Sequence, residues 1–159
     1  MNPKSKASAL PVAEQWYSRV SVDNDITLIS EPYVHPLIRC NIWHIRGRER
    51  DLLIDTGLGL CSLREAARDL LEAQIVAVAT HNHYDHIGCH HEFEVRAVHK
   101  AEVDLMNEPQ PAPLFLSEFG DEADHIIESG YTAGEDLIKA LPFAGFDPHN
   151  YHTQAATPT

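Results

Sequence analysis

Between residues 51 and 79 the chain changes its hydrophobic period twice. Residues 51–55 form an apolar run closed by an acid, and Thr56-Gly57-Leu58-Gly59 is a turn. Ser62-Leu63-Arg64-Glu65 fits a capping box, with Ser62 at the N-cap and Glu65 three residues on. Behind that cap Leu63, Ala66, Ala67, Leu70 and Leu71 recur at helical spacing, which predicts one amphipathic helix. Residues 75–79 then run unbroken apolar, the pattern of a strand buried on both faces. Strand, capped helix and strand make a βαβ unit, whose two strands run parallel and end on the same edge of the sheet. Asp55 closes the first strand and His81 stands just past the second. In open α/β sheets that carboxyl edge is where ligands bind.

The flanks add shorter elements. At 159 residues the chain has the length of one domain. Residues 1–14 show no periodicity and read as a loose arm, leaving 15–159 as the domain. Strands are predicted over 16–22 and 26–30, either side of an Asp23-Asn24-Asp25 turn, and over 40–45, where Trp43 reads as core. Further on, 95–98 reads as a strand and 100–106 as a helix. Residues 107–119 hold three prolines and read as a loop or lid. Short helices are predicted over 121–128 and 135–141, and the acidic stretches there read as solvated faces.

Charge narrows the partners. Twelve Lys and Arg against 24 Asp and Glu give a formal charge of -12. A negative chain is repelled by nucleic acid and by an anionic membrane surface, so neither is the expected partner. No apolar run approaches the ~20 residues a transmembrane helix needs, and the first residues lack the apolar centre of a signal peptide. Cys40, Cys61 and Cys89 are too few and too irregularly spaced for a disulfide framework. The expected location is cytoplasmic, with reduced thiols.

Histidine is the unusual component. Six of the 11 histidines fall between positions 81 and 99, and a His-rich tract points to metal. Within Thr80-His81-Asn82-His83-Tyr84-Asp85-His86-Ile87-Gly88, four candidate ligands occupy six residues. His81 and His83, two apart in extended backbone, project to the same side and can share one ion. Asp85 and His86 are adjacent, point differently and suit a second ion. Imidazoles with one carboxylate suit Zn²⁺, with Fe or Mn as substitutes. Two ions ~3.5–4 Å apart can hold a hydroxide between them and polarise a substrate oxygen. Of the neighbours, His90 and His91 read as surface residues, His99 as structural, Cys89 as a small packing residue, and Tyr84 as a residue that could line the pocket.

HNHYDH resembles the HxHxDH signature of the metallo-β-lactamase superfamily. Its setting fits as well, in Leu53-Ile54-Asp55-Thr56-Gly57 before it and Gly88 after it. The stretches Asn41-Ile42-Trp43, Ile54-Asp55-Thr56-Gly57-Leu58-Gly59-Leu60 and Val78-Ala79-Thr80-His81 resemble most its acyl-coenzyme A thioesterases. The resemblance implies an α+β fold, an αββα sandwich of which this chain holds the N-terminal half. It assigns His81 and His83 to a first zinc and Asp85 and His86 to a second, with Asp85 as the candidate catalytic carboxylate and Asp55 supporting the ligands from behind. The implied reaction is hydrolysis of a thioester or ester, acyl-coenzyme A-like, through a metal-bridging hydroxide. A lactonase, a hydroxyacylglutathione-type hydrolase, or a catalytically incomplete metal-binding protein are the alternatives. The family's later motifs, which bring the third His, the bridging Asp and the last His, have no counterpart here. A longer protein is therefore expected, with these 159 residues inactive alone.

Overall fold

The computed structural model describes residues 10–128 and 136–159. Its frame is one mixed six-stranded sheet whose spatial order follows the sequence: β1 (Ser18–Asp23), β2 (Ile26–Ser30), β3 (Ile42–Ile45), β4 (Asp51–Ile54), β5 (Ile75–Val78) and β6 (Val95–Ala97). β1 to β4 pair antiparallel in sequence order, with short turns between β1 and β2 and between β3 and β4 and a longer segment, 31–41, between β2 and β3. β4, β5 and β6 pair parallel, as the βαβ pattern requires. The α+β class expected from the sequence is the one observed.

The capped helix is shorter than its apolar spacing predicts. α1 spans Leu63–Ala66, with the Ser62 hydroxyl accepting from the Glu65 N–H at 3.1 Å. At Ala67 the backbone leaves helical geometry, and Leu70 and Leu71 continue as turns on the Ala67 carbonyl. Leu63, Ala67 and Leu71 are still all buried. Of the other two predicted positions, Leu70 is half-buried and Ala66 is exposed, so the spacing identified part of the buried face and overstated the helix. α2 (Tyr84–Ile87), α3 (Val103–Met106) and α4 (Glu122–Glu128) complete the helices of the described residues.

Four other expectations change. β5 buries Ile75 and Ala77 and leaves Val76 and Val78 half-covered, so only one of its faces is closed. The same alternation puts Trp43 on the half-covered face of β3, not in the core. Of the expected helix over 135–141, residue 135 lies outside the described residues and the rest forms isolated bridges and bends, not a helix. Leu137, Ile138, Ala140 and Leu141 are buried there, and the backbone bridges Val34, Phe115 and Val12. Four apolar residues in five positions suit a segment enclosed on several sides better than one helical face. Of the expected loose arm, 1–9 lie outside the described residues. Val12 pairs with Leu141, and the Ala13 and Leu141 N–H groups donate to Leu141 and Pro11 carbonyls, so 10–14 is fastened to the domain.

Candidate metal centre

The histidine turn is held by backbone touching backbone. Gly59, at φ +76°, lies so close to the turn that an added Cβ would sit 2.4 Å from the Gly88 carbonyl oxygen. A Cβ on Gly88 would meet the Leu58 carbonyl carbon at 2.1 Å. Only glycine allows this approach, and the Gly88 N–H donates to the Gly57 carbonyl at 2.8 Å. The loop after β4 and the turn after β5 thereby become one rigid edge. Asp55 sits where they join, with φ 59°, a conformation that Asp tolerates better than most residues.

Asp55 lies behind the candidate ligands. Its carboxylate accepts from the Thr80 N–H at 2.8 Å, from the Thr80 hydroxyl at 2.9 Å, and from His86 Nδ1 at 2.8 Å. With the Thr80 hydroxyl donating to Asp55, its oxygen accepts from His81 Nδ1 at 3.0 Å. One carboxylate therefore turns Nε2 of both imidazoles away from itself, the arrangement by which oriented histidines serve metals. Burial opposes ionisation of Asp55, but the bonds from His86 and Thr80 outweigh it and its pKa is lowered. Burial also disfavours the charged form of His86, and the bond to Asp55 with the Asp85 charge wins, raising its pKa.

The outer side is looser. The His81 ring lies 4.6 Å from the His83 ring and 4.1 Å from the His86 ring, centroid to centroid. Burial and the neighbouring imidazoles lower the His81 pKa, favouring the neutral form that binds metal. Asp85 Oδ2 lies 3.4 Å from His86 Nε2. Burial raises the Asp85 pKa despite the attraction of His86. His83 is exposed. All four sequence-predicted ligands thus gather at the carboxyl edge of the parallel strands. The donor chemistry fits an N/O-ligated divalent ion, yet among the described residues no group of three or more His, Cys, Asp or Glu is placed to hold a metal ion.

Several supporting residues had no signal in the sequence. Glu31 is fully buried beneath the loop, accepting from Trp16 Nε1 at 2.8 Å and from the Leu58 N–H at 3.0 Å. Glu102 accepts from the Asn82 N–H at 3.1 Å and fixes the turn between the first two histidines. His90, expected at the surface, is fully buried, with Nδ1 2.7 Å from the Thr56 hydroxyl and Nε2 without a hydrogen-bond partner. Thr56 in turn binds the His86 carbonyl through its N–H at 2.8 Å. Cys89 is buried, as a packing residue should be, and all three cysteines are free. Tyr84 donates its hydroxyl to the Pro113 carbonyl at 3.1 Å. The later histidines stay apart from the turn: His149 pairs with Glu118 at 2.7 Å and His125 with Glu128 at 3.8 Å, while His152 Nδ1 lies 3.3 Å from the Asn150 carbonyl.

Residues 35–152 match the family model described as Metallo-beta-lactamase superfamily. The chain is 32% identical over 159 residues to acyl-coenzyme A thioesterase MBLAC2 of Homo sapiens, covering 92% of this chain and 52% of that protein. It is 41% identical over 99 residues to the protein of the same name from Gallus gallus, covering 57% of this chain and 36% of the relative. This chain spans about half the length of the human relative. Among solved structures it is similar to the TMB-1 structure, with a TM-score of 0.45 at 12% identity, over 57% of this chain and 46% of that one. A DIM-1 metallo-β-lactamase structure gives a TM-score of 0.45 at 14% identity, over 61% of this chain and 47% of the other.

Proposed function

The chain belongs to the metallo-β-lactamase superfamily, and from that premise we propose that it forms the histidine-bearing half of a dinuclear zinc hydrolase acting on thioesters or esters. The observation that carries this reading is the cluster of His81, His83 and His86 beside Asp85, with Asp55 behind it. His81 and His83 would hold one ion, and Asp85 and His86 the other. Bound there, the metals supply Lewis acidity toward a carbonyl and acidify water.

The chain's own residues set the stage for that chemistry. Asp55 holds His86 directly and His81 through Thr80, so both rings present Nε2 outward. Glu102 and the Gly59–Gly88 approach keep the turn from shifting. The acyl-coenzyme A class is supported by the named thioesterase relatives. A small acyl substrate suits an acidic chain better than a phosphodiester polymer does. No described helix is long and apolar enough to cross a membrane. The three free thiols suit the reducing cytoplasm, which belongs to the same reading.

The test is metal analysis and turnover on the full-length protein. Two ions per chain and hydrolysis of acyl-coenzyme A that chelation abolishes are the expected results. Turnover of homoserine lactone or hydroxyacylglutathione alone would move the substrate class. Hydrolysis of phosphodiesters alone would overturn it. Two bound ions with no turnover would leave a metal-binding protein without catalysis.

A further inference from the structure

Beside the outer ligands lies a cleft of about 310 Å³, with His83 and Asp85 at one end and a wall that the ligand assignments leave without a role. Leu37 and Ile38, from the segment between β2 and β3, form one part of its apolar wall, and Phe119 and Ile126 form another. His83, Tyr84 and Asp85 line its inner end. Sequence gives no hint of this meeting, because the wall comes from positions more than 80 residues apart. At about 30 Å³ per water, the volume equals roughly ten waters, room for a medium-length alkyl tail.

We propose that this cleft receives the hydrocarbon tail of the acyl substrate and sets the enzyme's chain-length preference. The proposal rests on the thioester reading and deepens it. The cleft opens directly onto Asp85 and His83, so a tail lying in it brings its carbonyl to the ligand cluster. Charge decides which end of the substrate enters. Away from the ligand end, the described lining holds the Glu122 carboxylate and no Lys or Arg, so an anionic, phosphate-bearing coenzyme finds no cationic partner there, while a neutral tail needs none. Apolar walls with few polar groups at one end are the usual construction of a small-molecule site. The coenzyme portion then leaves the carbonyl on the side away from Leu37 and Phe119.

Two substitutions in the metal-loaded full-length protein test it from opposite directions. Leu37→Trp fills the cleft and lowers kcat/KM for octanoyl- relative to acetyl-coenzyme A by about tenfold or more. Phe119→Ala lengthens the cleft and shifts the preference toward dodecanoyl-coenzyme A. In parallel, decanoate displaces a fluorescent fatty acid from the parent protein and does so about tenfold more weakly from Leu37→Trp. Thioester turnover with chain-length ratios unchanged in both variants would overturn the cleft and keep the thioester reading. Cleft-dependent decanoate binding without any thioester turnover would keep the cleft and overturn the reading. Failure of both arms would overturn both.

Discussion

On the inner side of the histidine turn, Asp55, Thr56, His86 and His90 are tied into one hydrogen-bonded network, with Thr56 and His90 wholly out of solvent. On the outer side, His83 is exposed and its ring contact is the edge of His81. The two sides are a few residues apart in sequence and differ in what satisfies them. Apart from His90 Nε2, the inner polar groups are satisfied by the protein itself, and losing one partner strands the other in a dry environment. Outer groups keep their donors for something that arrives. The inner side should therefore carry folding free energy and the outer side should carry ligand affinity.

Asp55→Ala should break the contrast most severely. It removes the acceptor of three hydrogen bonds and leaves the Thr80 N–H and the His86 ring without it. It also places Ala at φ 59°, where Asp is tolerated better. A loss of about 3–5 kcal/mol in urea unfolding is expected, the range for breaking a buried pair by removing one partner. Asp55→Asn keeps one acceptor and the backbone tolerance, and should lose clearly less. Equal losses for the two would show that charge, not backbone and acceptor count, holds this edge.

Gly88→Ala should come next, at about 3 kcal/mol, the upper part of what overpacking costs. Its Cβ would meet Leu58 backbone, which has no flexible end to move aside. A stability within about 0.5 kcal/mol of the parent would mean that the two loops separate easily and that the edge is not rigid.

The outer side was far more legible in the sequence than the inner one. HNHYDH is local, and its spacing after a strand is enough to place four candidate ligands on one edge. The βαβ order also placed Asp55 beside them, because parallel strands end together. Glu31 and His90 gave no such signal. A lone Glu in a strand-ending segment reads as exposed, and only the arrival of Trp16 and Leu58 makes it buried. His90 follows a histidine-rich turn with no periodicity to mark a buried face, and Thr56, 34 residues away, is what draws it in. The bridged segment 136–141 departs from its helical spacing for a related reason. Its partners Val34 and Phe115 are distant in sequence, and tertiary pairing overrode the local pattern.

Those two buried groups allow the comparison to be sharpened by pH. Burial raises the Glu31 pKa from 4.5 to about 7 despite its two N–H donors. The folded state then holds a proton that the unfolded state has released, so this contribution is full below about 4.5 and is lost as pH rises through about 7. Burial lowers the His90 pKa from 6.5 to about 4. Its contribution has the opposite sign, present above 6.5 and lost as pH falls through about 4. Between the two the slopes oppose each other, so the parent's stability should vary little with pH there. Glu31→Gln should lose about 1–3 kcal/mol by stranding a donor and unmask stability that rises with pH. Denaturation midpoints at several pH values decide this. A variant profile parallel to the parent's would show that Glu31 titrates normally.

His83→Ala should have the smallest effect on the fold and a large one on the ligand. The side chain is exposed, and its position before α2 contributes through the backbone, where the His83 carbonyl accepts from the His86 N–H at 2.9 Å. Alanine keeps that carbonyl, so unfolding free energy without metal should stay within about 0.5 kcal/mol of the parent. The first ion loses one of its two ligands from this turn, so zinc affinity in the full-length protein should fall well beyond the 10–100-fold typical of losing only a supporting contact (about 1.4–2.8 kcal/mol). His86→Ala supplies the contrast, because it removes a candidate ligand and also takes from buried Asp55 its imidazole donor. It should weaken zinc and destabilise the metal-free fold together. If His83→Ala proves as destabilising without metal as His86→Ala, the outer side is holding the fold too, and the division between the two sides of the turn does not exist.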